Sequence, residues 1–221
     1  IAIGGTSGCD SSETAVTSGD NTITLDKDGA GANMDDGAYT CTVTFTDSLG
    51  TAATALTLTA FTVDTTVAAA TQTTAVTTPD NDATPDVVIN VAEAGTIAVG
   101  GTSGCGLSST SAMTSGANTV TLTASSTDKA YSCTVTFTDS AGNAASALAL
   151  TAFTLDTTAN AATQTTAVTT PDNDATPDVV INVDEAGTIA IGGTSGCDSS
   201  ETAVTSGDNT ITLDKDGAGA N

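Results

Sequence analysis

The side chains of this sequence with the greatest capacity for chemistry are carboxylates. The chain of 221 residues holds 26 Asp and Glu against 3 Lys and Arg, and its formal net charge is −23. Many of the acidic residues fall in short segments, bounded by Gly or Pro, that recur along the chain. Carboxylate, hydroxyl and carbonyl oxygens are the ligands that Ca²⁺ prefers in proteins. The acidic segments therefore contain candidate calcium ligands.

The first candidate set lies where one repeated unit of the chain would follow another. If such units stack end to end, the loops of one meet the linker of the next, and an ion bound there would offset carboxylate repulsion and stiffen the joint. A solvated acidic surface, which keeps a long fibre soluble or suits a saline medium, is the competing interpretation, and both stay open. The candidate ligands are Asp64, Asp80, Asp82, Glu93, Asp139, Asp156, Asp172, Asp174 and Glu185.

A second candidate calcium loop lies in residues 26–37, DKDGAGANMDDG. Its first and third residues match the first two ligand positions of an EF-hand loop, but Gly37 stands where that loop needs a Glu. A hairpin loop without an ion is therefore the favoured interpretation. The candidate ligands here are Asp26, Asp28, Asp35 and Asp36.

The five cysteines recur in pairs. Cys9 and Cys41 are 32 residues apart, and Cys105 and Cys133 are 28 apart. Disulfides at this spacing would each stabilise the fold by about 3–4 kcal/mol and would indicate an oxidising, extracytoplasmic compartment. Isolated buried thiols are the alternative, and a metal site is disfavoured because the chain has no His and no CxxC spacing. The partner expected for Cys197 lies beyond residue 221.

Composition also disfavours several functional classes. The chain has no His, and its three cationic residues are all Lys, so it lacks the usual general base and the usual anion clamp. So acidic a surface would repel nucleic acid and anionic lipid. No apolar run approaches the roughly 20 residues of a membrane helix. We expect no enzymatic activity, no nucleic-acid partner and no membrane insertion of this segment.

The elements that must position these residues are set by an internal repeat. Residues 1–33 are identical to residues 189–221, and IAVGGTSGC at 97–105 matches IAIGGTSGC at 1–9. Such periodicity indicates a tandem array of similar domains. We expect the chain to be a window of a longer array, with a domain at 1–64 lacking its N-terminal part, a complete domain at 65–156, and a domain at 157–221 lacking its C-terminal part.

Each repeat has the pattern of an all-β domain. Segments such as DVVINVA (86–92) and YSCTVTFT (131–138) alternate apolar and polar residues with period 2 and end at turn residues. About seven short strands per repeat predict a two-sheet β-sandwich. Alternation predicts that Cys41, Val43 and Phe45 point into the core and that the Thr residues between them cover the outer face.

The segments AYTCTVTFTDSLGTAA (38–53) and AYSCTVTFTDSAGNAA (130–145), with TPDNDATPDVVINV and AFTVDTT, resemble bacterial Ig-like repeats of large secreted surface proteins and adhesins. The resemblance implies tandem Ig-like sandwiches stacked end to end, with calcium between domains. Many such repeats lack cysteine, whereas these repeats carry a pair. Tyr39 and Tyr131, each two residues before a Cys, stand where a tyrosine corner is expected.

The preferred functional hypothesis is an extracellular spacer, a stalk or filament of a cell-surface protein. Its partners would be the neighbouring repeats of the same chain, with self-assembly into fibres as a further expectation. The alternative is a directly adhesive module that binds a glycan or a protein receptor. Binding surfaces favour exposed aromatic and Arg anchors, and this chain has 2 Tyr, 4 Phe and no Trp, so the spacer hypothesis is preferred.

Overall fold

The computed structural model describes residues 1–101, 104–193 and 196–215, and within them the chain forms β-strands and turns without a helix. The all-β prediction is confirmed. The chain divides into two compact units, Ile1–Asp156 and Thr157–Asn221. The first unit contains two separate apolar cores, one in residues 1–64 and one in residues 65–156.

The first repeat, residues 1–64, has a sheet in the order β1-β3-β4 and a separate pair β2-β5. Both are antiparallel. The strands are β1 Ala2–Gly5, β2 Gly37–Tyr39, β3 Cys41–Thr44, β4 Leu56–Thr57 and β5 Phe61–Val63. Residues 10–26 belong to no strand. The two ends of this segment are joined by an isolated antiparallel β-bridge between Asp10 and Asp26.

The second repeat, residues 65–156, has two four-stranded antiparallel sheets, in the orders β10-β8-β13-β14 and β6-β7-β11-β9, and a pair β12-β15. Seven of its ten described strands have three or more residues, and three have two. The strands are β6 Thr71–Thr74, β7 Asp86–Val91, β8 Gly95–Gly101, β9 Gly106–Leu107, β10 Ala112–Met113, β11 Gly116–Thr123, β12 Lys129–Tyr131, β13 Cys133–Asp139, β14 Leu148–Ala149 and β15 Phe153–Leu155.

The third repeat, residues 157–221, has a sheet in the order β16-β17-β20 and a short pair β18-β19. It reproduces the β6-β7-β11 sheet of the second repeat, with the same irregularity between its first two strands. The strands are β16 Thr163–Thr166, β17 Asp178–Val183, β18 Gly187–Thr188, β19 Ala203–Val204 and β20 Gly207–Thr212.

Alternation builds the core of the second repeat. In β7, Val87, Ile89 and Val91 are buried, and in β13 the residues Val135 and Phe137 are buried while the intervening Thr residues are partly exposed. Both strands contribute to one cluster, so the two four-stranded sheets share a core. Burial of each such side chain contributes about 1.5–3 kcal/mol. The predicted inward and outward faces are therefore observed in this repeat.

The first repeat departs from the prediction at Phe45. Cys41 is fully buried, but Phe45 is 48% exposed, whereas its equivalent in the second repeat, Phe137, is 0% exposed. In the second repeat a second sheet shares the core around Phe137. The described part of the first repeat contains no such sheet, and the aromatic ring therefore faces solvent.

The predicted disulfides Cys9–Cys41 and Cys105–Cys133 are both present, and Cys197 is an exposed free thiol. The tyrosines two residues before the second cysteine of each pair are buried. The hydroxyl of Tyr39 donates to the carbonyl of Asp35 at 2.8 Å, and that of Tyr131 lies 3.1 Å from the carbonyl of Thr127. These contacts match the hydrogen bond expected of a tyrosine corner.

Candidate metal centre

Three carboxylates meet where the first repeat joins the second. One oxygen each from Asp64, Glu93 and Asp139 lies within 4.8 Å of the other two. Asp64 follows β5, Glu93 lies in the turn between β7 and β8, and Asp139 ends β13. Among the described residues, this is the one acidic group that satisfies this distance. We call it the junction triad.

Asp139 is the most rigidly held member of the triad. It is 5% exposed, and its Oδ1 accepts hydrogen bonds from the backbone N–H groups of Ala141, Gly142 and Asn143 at 2.7–2.9 Å. Its Oδ2 accepts from Asn143 Nδ2 at 2.9 Å. Burial acts to raise the pKa of Asp139, but these hydrogen bonds, above all those from Asn143, outweigh it and lower the pKa. The carboxylate is therefore ionised at neutral pH.

The close approach of β8 to β13 requires a glycine beside Asp139. Gly95 pairs with Asp139, and a Cβ on Gly95 would lie 2.2 Å from the carbonyl oxygen of Thr138. Because the turn that carries Glu93 leads directly into this position, the small residue keeps Glu93 next to the end of β13. The sequence Glu-Ala-Gly thus sets the spacing between two members of the triad.

Asn143 connects the triad to the linker. Its side-chain nitrogen also donates to the backbone carbonyl of Asp64 at 3.0 Å, 79 residues away in sequence. Four residues after Asp64, the N–H of Ala68 donates to Glu93 Oε1 at 3.0 Å. The second repeat therefore holds the linker at two points.

The first repeat holds the same linker through Asp36. Its Oδ1 accepts from the backbone N–H of Thr65 at 2.8 Å and from the Thr65 hydroxyl at 2.7 Å, and its Oδ2 accepts from the Thr66 hydroxyl at 2.8 Å. These hydrogen bonds, that of the Thr65 hydroxyl first, lower the pKa of Asp36.

Sequence reasoning missed Asn143 and the linker contact of Asp36. The one available signal is that Asn143 replaces the Thr51 of the first repeat in otherwise similar segments.

Asp80 and Asp82, predicted for the junction set, lie outside the triad. Asp80 exchanges backbone hydrogen bonds with the end of β15, donating to Thr154 and accepting from Asp156. Asp82 Oδ1 accepts from the N–H and hydroxyl of Thr84, and these bonds lower its pKa. Both residues precede β7, whereas Glu93 follows it. A six-residue strand is about 20 Å long, so the two sets occupy opposite ends of the domain.

In the second unit the predicted residues repeat these local arrangements. Glu185 Oε1 accepts from the N–H of Asn160 at 3.1 Å, as Glu93 does from Ala68. Asp172 accepts from the N–H of Asp174 at 3.0 Å, and Asp174 accepts from Thr176. The bonds of Asp172 and Asp174 lie within one turn, whereas that of Glu185 joins residues 25 apart.

The four acidic residues of the 26–37 loop form hydrogen bonds or an ion pair with other residues of the chain. Asp26 is buried and accepts from the N–H groups of Asp28, Gly29 and Gly31. Asp28 accepts backbone N–H groups within the same loop, Asp35 forms an ion pair with Lys27 at 2.5 Å, and Asp36 holds the linker. The loop is therefore a turn stabilised by its own hydrogen bonds, and whether it binds an ion stays a prediction.

The triad has the chemistry of a hard-cation site. Oxygens that share one Ca²⁺ at 2.3–2.6 Å lie no more than about 5 Å apart, and the three carboxylates meet that limit. They place three formal negative charges at one point, which a divalent cation would largely neutralise. The three carboxylates could therefore hold a divalent metal ion.

No protein-family model, no curated protein and no solved structure matches this chain. No helix among the described residues is long and apolar enough to span a membrane.

Proposed function

We propose that this chain is a spacer of an extracellular surface protein, stalk or filament, built from tandem Ig-like β-sandwich domains stacked end to end. In this role the protein carries no catalytic site. Its partners are the neighbouring repeats of the same chain, and its function is to hold other parts of the protein at a fixed distance and orientation.

The observation that carries the proposal is the linker of residues 64–68, which is bonded on both sides. Asp36 binds Thr65 and Thr66 from the first repeat, and Asn143 and Glu93 bind Asp64 and Ala68 from the second. A free tether between independent domains needs no such contacts. A spacer needs them because the orientation of each domain must be passed to the next.

The Ig-like assignment is supported by the second repeat. It has two four-stranded antiparallel sheets around one core, with a buried Tyr131 two residues before a disulfide-bonded cysteine. Two disulfides indicate an oxidising compartment. We propose that this compartment is the cell surface.

We propose further that Ca²⁺ binds the junction triad and stiffens the joint. Asp64, Glu93 and Asp139 supply three carboxylate oxygens, and Asn143 fixes two of these residues in place. Extracellular calcium modules bind with dissociation constants of about 10⁻⁴–10⁻³ M. We expect the joint to respond in that range.

The test is calorimetric titration of the whole chain with CaCl₂, together with small-angle scattering in EDTA and in about 5 mM Ca²⁺, which is roughly 5–50 times the expected dissociation constant. Binding should raise the melting temperature and increase the maximum dimension. Asp139→Asn should abolish both effects. Asp47→Asn is the matched control, because Asp47 caps the equivalent turn of the first repeat but lies outside the triad.

Equal calcium binding by the wild-type protein and Asp139→Asn would contradict a site at the triad. If the melting temperature and the scattering curve of the wild-type protein were the same in Ca²⁺ and in EDTA, the joint would not depend on calcium, and the solvated-surface interpretation would replace it.

A further inference from the structure

The turn that follows β13 has a counterpart with the same backbone bonds in the first repeat. Asp139 and Asp47 each begin a turn, and each donates its N–H at 3.0 Å to the carbonyl four residues later, that of Asn143 or of Thr51. In both turns the aspartate Oδ1 accepts from the N–H of that later residue at 2.8 Å. The backbone of this turn therefore forms with either Asn or Thr at its fifth position.

The side-chain amide of Asn143 is thus not needed to build the turn. Its nitrogen has two N–H groups, and it donates to Asp139 Oδ2 at 2.9 Å and to the carbonyl of Asp64 at 3.0 Å. A threonine hydroxyl has a single hydrogen to donate and cannot make both bonds. The choice between Asn and Thr therefore decides whether the turn can hold Asp64 as well as its own aspartate.

The bond from Asn143 to Asp64 spans the joint between the two repeats. Asp64 directly follows β5, the last strand of the first repeat. Val67, three residues later, packs against the core of the second repeat. The chain therefore passes from one repeat to the other between these two residues, and Asn143, which belongs to the second repeat, reaches back over that passage.

The other bonds of the linker have a different reach. Asp36 holds Thr65 and Thr66 to the first repeat. Glu93 accepts from the N–H of Ala68, which lies beyond the passage, so that bond stays within the second repeat. Neither of these contacts by itself fixes one repeat on the other, whereas the bond from Asn143 to Asp64 does.

We infer that Asn143 is the positioning residue that fixes the orientation of the second repeat on the first, and that a repeat with Thr at this position forms a looser joint. The inference rests on the spacer function proposed above and does not require calcium. The chain carries both forms, Asn143 in TDSAGNAA (138–145) and Thr51 in TDSLGTAA (46–53). The two types of repeat thus specify two kinds of joint, and an array that alternates the types alternates stiffer and looser joints.

The test is NMR of the whole chain in EDTA, where no bound metal ion contributes to the joint. Residual dipolar couplings report the alignment of each repeat separately, and relaxation dispersion of residues 64–66 measures the ratio of held to released joints. In the wild-type protein the first two repeats should share one alignment. In Asn143→Thr that shared alignment should be lost, and the ratio should fall about fivefold, the factor for one hydrogen bond of ordinary strength.

Thr51→Asn is the matched control. It makes the reverse exchange in the turn of the first repeat, outside this joint, and should keep the wild-type alignment and ratio. The second control is internal to the Asn143→Thr protein. The N–H groups of Ala141 and Gly142 donate to Asp139 in this turn, and their protection from hydrogen exchange should persist, because the first repeat builds the same turn with Thr51.

Three outcomes would overturn the inference and leave the spacer function standing. The first is an Asn143→Thr protein with the wild-type alignment and ratio. The second is loss of alignment together with loss of protection at Ala141 and Gly142, because Asn143 would then act only by building its turn. The third is an equal loss in Thr51→Asn.

The wild-type protein separates the inference from the proposal on which it rests. If its first two repeats shared an alignment in Ca²⁺ but not in EDTA, the bond from Asn143 would not suffice, and the inference alone would fail. If they shared no alignment in either medium, the spacer function would be contradicted as well.

Discussion

Residues 1–33 and 189–221 have the same sequence, but where both copies are described their strands differ. In the first copy, Ala2–Gly5 is a strand paired with Cys41–Thr44, and residues 19–24 belong to no strand. In the second copy the reverse holds, since Gly207–Thr212 is a strand paired with Asp178–Val183, and residues 190–193 belong to no strand. Each copy forms the strand for which its own repeat supplies a partner.

The turns of the two copies agree. Asn21 donates to the carbonyl of Thr17 at 2.8 Å, and Asn209 donates to that of Thr205 at 2.7 Å. Asp10 bridges Asp26 as Asp198 bridges Asp214. Contacts between residues up to 16 apart are thus the same in both copies, whereas strand formation depends on a partner farther away in sequence.

The largest difference between the copies should come from their cysteines. Cys9 is bonded to Cys41, while Cys197 is free and exposed. Cys9→Ser should destabilise the first repeat by about 3–4 kcal/mol, the value for a loop of this length. Cys197→Ser should change stability by less than about 0.5 kcal/mol. Denaturant titration followed by amide NMR of each repeat measures both, and equal effects would contradict the assignment of the pairs.

The equivalent isoleucines should differ next. Ile211 is 2% exposed in the core of the third repeat, whereas Ile23 is half-buried. Ile211→Ala should cost about 2–4 kcal/mol and Ile23→Ala about 1 kcal/mol or less. Both costs are measured by native-state hydrogen exchange. A large cost at Ile23 under these conditions would show that residues 19–24 already pack as a strand.

The turn asparagines should give the same loss in both copies. Asn21→Ala and Asn209→Ala each remove an acceptor for a backbone N–H, at 3.0 Å and 2.9 Å, and two donated bonds. Each substitution should cost about 1 kcal/mol. A cost that differed twofold or more between the two positions, measured by exchange of the Thr17 and Thr205 amides, would mean that these turns also depend on their surroundings.

The smallest expected effect is a change in the pKa of Glu13. Glu13 accepts from the Ser11 hydroxyl, and also from the N–H of Thr24, which has no strand partner in the first repeat. These bonds, that of Ser11 first, lower the pKa of Glu13. These hydrogen bonds to the ionised carboxylate stabilise the folded state at pH values above the ordinary Glu pKa of about 4.3. That stabilisation is lost as the pH falls through the lowered pKa of Glu13. Carboxyl NMR shifts measure this pKa, and Ser11→Ala should return it toward the ordinary value. A Glu13 pKa at or above the ordinary value in the wild-type protein would contradict these contacts.

Sequence periodicity predicted what depends on near neighbours or on a recurring pair. The alternating faces of Asp86–Val91 and Cys133–Asp139 and the two disulfides are all found in the structure. The exposure of Phe45 did not follow from its alternating segment, because alternation gives the direction of a side chain and not the presence of a layer above it.

The junction triad was predicted in part. Sequence reasoning predicts Asp64, Glu93 and Asp139 as ligands at the junction, but it groups Asp82 with them although a six-residue strand, Asp86–Val91, separates Asp82 from Glu93. That separation is readable from the sequence. The bond from Asn143 to Asp64 is not, because it joins residues 79 apart that only the docking of two domains brings together.

The disulfide of the second repeat limits how far that repeat can lengthen under tension. A pulling force that unfolds it extends the chain only outside the loop closed by Cys105 and Cys133, which are 28 residues apart. At 3.3–3.6 Å per extended residue, the closed loop withholds roughly 90–100 Å of contour length. A reductant releases that length, so the reach of a loaded repeat depends on the redox state of the medium around it.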